Sequence, residues 1–212
     1  MAIILEKSGD RHRINLEKGG PSFSGEIVIN LDWSKGGFLK KFFGGGNVDL
    51  DLGCFYELRD GSKALIDGLQ FSKGRGGTRH QKTNQGCYDQ KPFIWHQGDD
   101  RGGGNQSGET ILINPKGVNE IKRMTIYTFI FDGVAKWMDT NAVVTVKVPG
   151  NEDVIVKMGQ QTSPKRFCAI AELDFSTDNS VTVKKLVSFH DSHSDCDRVY
   201  NWGFKYTMGS KD

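Results

Sequence analysis

Apolar and polar residues alternate with a period of two along much of this chain. Ile27, Ile29, Leu31 and Trp33 alternate with Glu26, Asn30 and Asp32, which gives an extended segment one apolar and one polar face. The same pattern returns at Val48, Leu50, Leu52, Cys54 and Tyr56, at Ala142 through Val148, at Phe167 through Phe175, at Val181, Val183 and Val187, and at Tyr200, Trp202, Phe204 and Tyr206. Each of these stretches predicts a half-buried strand. Residues 124–131, MTIYTFIF, are apolar on both faces and rich in β-branched and aromatic types, so they predict a central strand covered on two sides. Only residues 115–123 predict a helix, opened by Pro115 and little more than two turns long.

Many short strands with almost no helix between them predict an all-β fold, a two-sheet antiparallel β-sandwich with one short helix. No linker, charge block or internal repeat divides the chain, which predicts a single domain over residues 1–212. Composition adds one outlier. Glycine accounts for 27 of 212 residues, nearly twice the usual ~7%, and its runs fall between the alternating segments, where turns need unusual dihedrals. With 28 basic and 26 acidic side chains the net charge is +2, which gives no global field for nucleic acid or an anionic membrane. No apolar run approaches the ~18 residues of a spanning helix, and residues 1–6 lack the basic start and apolar middle of a signal peptide, so the expectation is a cytoplasmic protein. Cys54, Cys87, Cys168 and Cys196 are scattered, form no C-x-x-C pair and are expected to be free thiols.

Candidate chemistry concentrates in two acidic segments. In Asn47-Val48-Asp49-Leu50-Asp51 the apolar residues face one way and Asn47, Asp49 and Asp51 the other. Carboxylates two apart on a strand stand roughly 6.5 to 7 Å apart at the backbone, so their tips can converge on one hard cation. Without one, two charges ~5 Å apart at an effective dielectric near 20 repel by about 3 kcal/mol. Taken alone, the pair fits a solvated surface as well as a metal site. The second segment, GDDRGGGNQSGE at 98–109, offers Asp99, Asp100 and Glu109 among glycines that can turn carbonyls inward, which suits calcium's preference for six to eight oxygens. It is not an EF-hand, because Arg101 and Gly103 stand where that loop needs ligands. An ordinary surface loop has the same composition.

These motifs, VDLDLGCFYELRDG at 48–61 and PFIWHQGDDRGGGNQSGE at 92–109, together with IYTFIFDGVAKW at 126–137 and YNWGFKYTMGSKD at 200–212, resemble the TerD/TerA tellurium-resistance (stress-response) family, with GDDR and the WGF and GSKD of the ending matching its TerA branch. The resemblance spans nearly the whole chain. It implies a two-sheet β-sandwich that binds calcium through strand ends and loops near the Asp-rich strand, and a cytoplasmic role in tolerance to tellurite or other stress with no established enzymatic activity. Carried over by position, Asp49 and Asp51 match the family's D-x-D strand, and Asp99, Asp100 and Glu109 its Gly-Asp loop. Asn47 stands where a further Asp is usual and the loop keeps one Glu in place of a run of acids, which implies a weaker site. Asp32 and Asp132, each at an end of an expected strand, are second-rank candidates, for which a solvated turn aspartate is the leading alternative. The implied partners are calcium ions and proteins of a stress-response complex, with membrane association as an open variant and no nucleic acid.

Other clusters carry less. Residues 190–197, HDSHSDCD, mix imidazole, thiolate and carboxylate but lack the spacing of a zinc site, and a polar loop is the expectation. Lys73, Arg75, Arg79, His80 and Lys82 lack interleaved aromatic platforms, so a solvated hairpin is expected rather than a phosphate or RNA site. Trp95 and Trp137 are expected to pack rather than stack on sugars. No nucleophile elbow, P-loop, dinucleotide fingerprint or H-E-x-x-H is present, and no enzyme is expected. Two further readings remain: calcium-dependent binding of anionic lipid in the manner of C2 sandwiches, through Phe38, Phe42 and Phe43 beside Lys40 and Lys41, and a nucleotide or sugar binder using the acidic edge.

Overall fold

The computed structural model describes residues 1–16, 25–33, 48–71, 76–98, 108–132, 137–159, 161–176 and 178–207, with Asp132 and Asp139 described in backbone only. Among these, thirteen strands form two sheets. The first has seven, in the order β1 (Ala2–Leu5), β11 (Asp153–Lys157), β10 (Val143–Lys147), β3 (Ile27–Asp32), β8 (Glu109–Ile113), β7 (Ile94–His96) and β6 (Gly86–Cys87). The second has six, β2 (Arg11–Asn15), β13 (Ser180–His190), β12 (Phe167–Ser176), β9 (Ile121–Asp132), β4 (Asp49–Leu58) and β5 (Lys63–Asp67). Every pairing is antiparallel except that of β1 with β11, which is parallel. The expected sandwich is present, with that one departure.

The period-two residues do what their alternation requires. Ile29, Leu31, Leu50, Leu52, Val144, Val154, Leu173 and Val183 all bury in one cluster between the sheets, each side chain contributing about 1.5 to 3 kcal/mol. The two-sided apolar run lies in β9, in the interior of the six-stranded sheet. Its outer face carries a second cluster of Phe55, Tyr127, Phe129, Phe167 and Trp202. Ring centroids of Phe55 and Tyr127, and of Tyr127 and Phe167, lie 4.7 Å apart.

Two expectations about helix are corrected. The helix expected over 115–123 is a single 3-10 turn, Pro115–Gly117, capped by the Asn114 side chain, and β9 already begins at Ile121. Tertiary pairing with Leu58 recruits its β-branched start into the sheet. The polar loop expected at 190–197 instead contains most of a helix, His193–Tyr200. It is the second of two, after the one-turn α1 (Gly68–Phe71), and is designated α2. Ser192 caps its start by accepting from Asp195 N, and Asn201 closes it at φ 54 in the left-handed region that asparagine tolerates.

Residues 200–206 do not form the expected strand. The Asp197 carboxylate takes the N–H groups of Gly203 (2.6 Å) and Phe204 (2.8 Å), so these donors are satisfied without a neighbouring strand. The segment lies as a strap over the outer aromatic cluster, where the Arg123 guanidinium sits 4.1 Å above the Trp202 ring.

Candidate functional site

Strand register gathers the acidic strand residues. Asp49 opens β4 directly opposite Asp132, the last residue of β9. In the facing sheet Leu31 pairs with Glu109, the first residue of β8, and Asp32 follows Leu31 at the end of β3. Four strand termini thus bring acidic positions to the same end of the sandwich. Asp51 lies two residues into β4, opposite Phe129 and fully buried, whereas Asp49 is half-buried and Asp32 exposed. Asn47, Asp99 and Asp100 lie outside the described residues, as do Phe38, Phe42, Phe43, Lys40 and Lys41.

Glu109 is held by chemistry that its sequence does not announce. Strand β5 pairs Gly53 with Asp67 and then turns into α1, so the next backbone pair that would cover Leu52 is missing. Glu109 Oε2 accepts the Leu52 N–H at 2.7 Å, and His96 Nε2 donates to Leu52 O at 3.1 Å. Both side chains belong to the opposite sheet and are buried. His96 Nδ1 accepts from Gly98 N at 3.1 Å, so its proton is on Nε2 and the ring is neutral. Its 3.6 Å approach to Glu109 Oε2 is therefore a dipolar contact rather than an ion pair. Gly108 makes the entry possible: it sits at φ 61, and a Cβ there would lie 1.9 Å from Leu31 O.

A second polar group lies under the outer face of β4. Gly53 leaves room for the Tyr127 ring, which a Cβ would meet at 2.3 Å. Tyr127 then donates its O–H to Asp67 Oδ2 at 2.7 Å, and His193 Nε2 shares that oxygen at 2.9 Å. Burial, then the Asp67 charge, pushes the Tyr127 pKa well up, so it remains a donor. Leu69 N gives Asp67 Oδ1 a further bond at 3.0 Å. Sequence reading missed this trio and His96. The signal for His96 was its position directly after the apolar Ile94-Trp95 and before Gly98; the trio had none, because β5, β9 and α2 are far apart in sequence.

The remaining clusters resolve simply. All four cysteines are free and buried, as expected. Burial pushes Cys196 up to about 12 and Cys54 and Cys168 well above the usual thiol value, which leaves these thiols protonated. In 190–197, His193 serves Asp67 and Asp197 holds the strap. Arg79 pairs with Glu26 at 2.5 Å and His80 with Asp89, while Lys73 and Arg75 lie outside the described residues. Trp137 is buried with Nε1 donating to Lys165 O, and Trp95 is half-buried in β7.

The acidic residues at this end carry oxygen donors, the ligand type of a hard cation rather than zinc. Among the described residues, no three His, Cys, Asp or Glu side chains form a group that could hold a metal ion. No helix among them is long and apolar enough to cross a membrane.

The class these features define is an all-β sandwich with acidic residues gathered at one end. Solved structures share that fold. A protein of unknown function, SAV2460, superposes with a TM-score of 0.53 at 12% identity over 80% of this chain and 91% of its own. A homologue of the telluride resistance protein TerD, SCO6318 from Streptomyces coelicolor, gives 0.52 at 14% identity over 80% and 92%. In sequence, the chain is 34% identical over 211 residues to the tellurium resistance protein TerA of an Alcaligenes species, covering 94% of this chain and 58% of that protein. It is 28% identical over 167 residues to stress response protein SCP2 of Bacillus subtilis, covering 74% and 76%. No family model matches the chain. The chain is similar in sequence to members of the TerD/TerA tellurium-resistance family, and it spans a little over half the length of the TerA relative.

Proposed function

We propose that the chain is a calcium-binding β-sandwich module of a cytoplasmic tellurite or stress-resistance system, acting by presenting a calcium-ordered surface to protein partners. The observation that carries this reading is the register: Asp49 pairs with Asp132 in one sheet, and Asp32 and Glu109 end neighbouring strands in the other, so four acidic positions share one end of the sandwich. Acidic positions gathered at one end would favour a divalent cation that offsets their charge. Asn47, Asp99 and Asp100, which flank these strands in sequence, would complete a set of six to eight oxygens. Sequence similarity supports the same reading, since the relatives carry tellurium-resistance and stress-response names.

Calcium binding only the native state raises stability by RT ln(1 + [L]/Kd), about 2.7 kcal/mol at a hundredfold excess over Kd. Calorimetric titration of the full chain with calcium should show saturable binding, and Asp49→Ala should abolish it while the variant remains folded by circular dichroism. A flat titration of the wild type at millimolar calcium would sink the proposal.

A further inference from the structure

On the outer face of the six-stranded sheet, separated from β4 by β12 and β9, β13 carries a polar chain that neither the fold nor the calcium reading uses. Ser188 Oγ lies 2.9 Å from His190 Nε2 and 2.6 Å from the Tyr200 hydroxyl. His190 Nδ1 faces Asp195 Oδ2 at 3.6 Å. The carboxylate sets the direction of the whole chain. It favours the proton on Nδ1, which leaves Nε2 as acceptor for the Ser188 O–H and makes Tyr200 the donor to Oγ. We propose that Ser188, His190 and Asp195 form a nucleophile, general base and orienting carboxylate able to transfer the acyl group of a small carboxylic ester.

The backbone supports the assignment independently. Val187, immediately before the serine, has φ 49, a left-handed conformation that a β-branched residue rarely adopts. It lies in a bulge, because Ala169 pairs with Ser188 but Ala171 pairs with Lys185, leaving two residues of β13 against one of β12. Bulges of this kind re-aim side chains, and strain held at one residue marks sites where placement matters. Ser188 and His190, two apart on one strand, share a face, and α2 returns over them to supply Asp195 and Tyr200.

The groups around the imidazole suit the step. His190 is buried against Phe167 and Tyr200, and that burial pulls its pKa below the usual value, while Asp195 draws it back and Lys165 lowers it further. The ring is therefore a neutral base at pH 7 and above. Asp195 is kept ionised first by the Asp191 N–H, and also by Arg198 and Lys165. In the step, Oγ bonds to the acyl carbon as its proton passes to His190 Nε2. The ester C–O bond then breaks, the alcohol leaves with that proton, and water releases the acid by the same route reversed. The Tyr200 hydroxyl is within reach to donate to the oxygen that develops charge beside Ser188.

A fluorophosphonate probe reports this chemistry directly, since phosphorus takes the place of the acyl carbon and fluoride leaves. The full chain should gain one adduct by intact mass, mapped to Ser188, at a rate that rises with pH through the imidazole titration. Ser188→Ala should gain none. His190→Gln, which keeps a polar side chain at the position, should slow labelling roughly 100-fold or more. Asp195→Asn should move the midpoint of the pH–rate profile to lower pH and also lower its high-pH plateau, and the second change is one that loss of a nearby charge alone would not cause. No adduct on the wild type, an adduct on another serine, or an unchanged rate in His190→Gln would overturn the assignment.

Discussion

On one flank of the sandwich a buried carboxylate accepts a backbone N–H across the two sheets; on the other a buried ammonium donates to backbone carbonyls across them. Glu109 takes Leu52 N at 2.7 Å where β5 ends early. Lys185, on β13, donates to Leu5 O (3.1 Å), Glu6 O (3.0 Å) and Lys157 O (2.8 Å), which terminate β1 and β11. Both solve one problem, backbone groups left over where a strand runs out. They differ in what else is asked of them. The Lys185 ammonium has three donors and three acceptors, so its hydrogen-bonding capacity is spent. The Glu109 carboxylate lies at the acidic end, so under the calcium proposal the same group that joins the sheets would also meet the cation. Structural and binding roles can coincide at the acidic flank, whereas the basic flank is structural.

The largest expected effect comes from Glu109→Ala. It strips Leu52 N of its acceptor inside a buried contact and should cost about 3 kcal/mol in urea denaturation, whereas Glu109→Gln, which can still accept from that N–H, should cost about 1 kcal/mol. Equal losses would mean that charge, not the hydrogen bond, joins the sheets there. Lys185→Met should cost about 2 kcal/mol, because three carbonyls lose their donor but the stem's apolar packing is kept. It should leave any calcium-induced rise in Tm intact, while Glu109→Ala should diminish it; a calcium response lost in both variants would erase the distinction between the flanks.

The smallest effect lies on the outer face of the six-stranded sheet. His190 has a folded pKa below its unfolded value of ~6.5, so the unfolded chain binds more protons as pH falls. Its contribution is fully present above pH ~6.5 and is lost below it, with a slope of at most about 1.4 kcal/mol per pH unit. Denaturation midpoints measured from pH 7.5 to 5 should therefore fall less steeply in His190→Gln than in the wild type. A parallel fall would assign the acid sensitivity to other groups.

Much of this architecture was legible in the chain. Alternation identified β3, β4, β10, β12 and β13 because a half-buried strand leaves a period of two in the sequence. The two-sided run at 124–131 correctly implied cover on both faces, although not that a helix and a strap would supply it. The errors have a common origin. A helix over 115–123 and a strand over 200–206 were local inferences overruled by distant partners, Leu58 for the first and the Asp197 carboxylate for the second. The helix at 193–200 was hidden because its polar face reads as loop, and the few apolar residues it buries do not mark a period in so short a segment.

For the candidate site the division is similar. Asp49, Asp51 and Glu109 stood out as candidate oxygen donors by type and spacing, since those depend on neighbours in sequence. Composition and periodicity alone determined the class of the protein, two apolar-faced sheets with acidic strand ends. Which strand lies beside which was decided only by the tertiary structure, and with it the meeting of Asp49 with Asp132, of Glu109 with Leu52, of Asp67 with His193, and of Ser188 with Tyr200. The reason is that a strand's backbone pairs over long separations in sequence. The alternation of side chains states which face is buried but not which partner covers it.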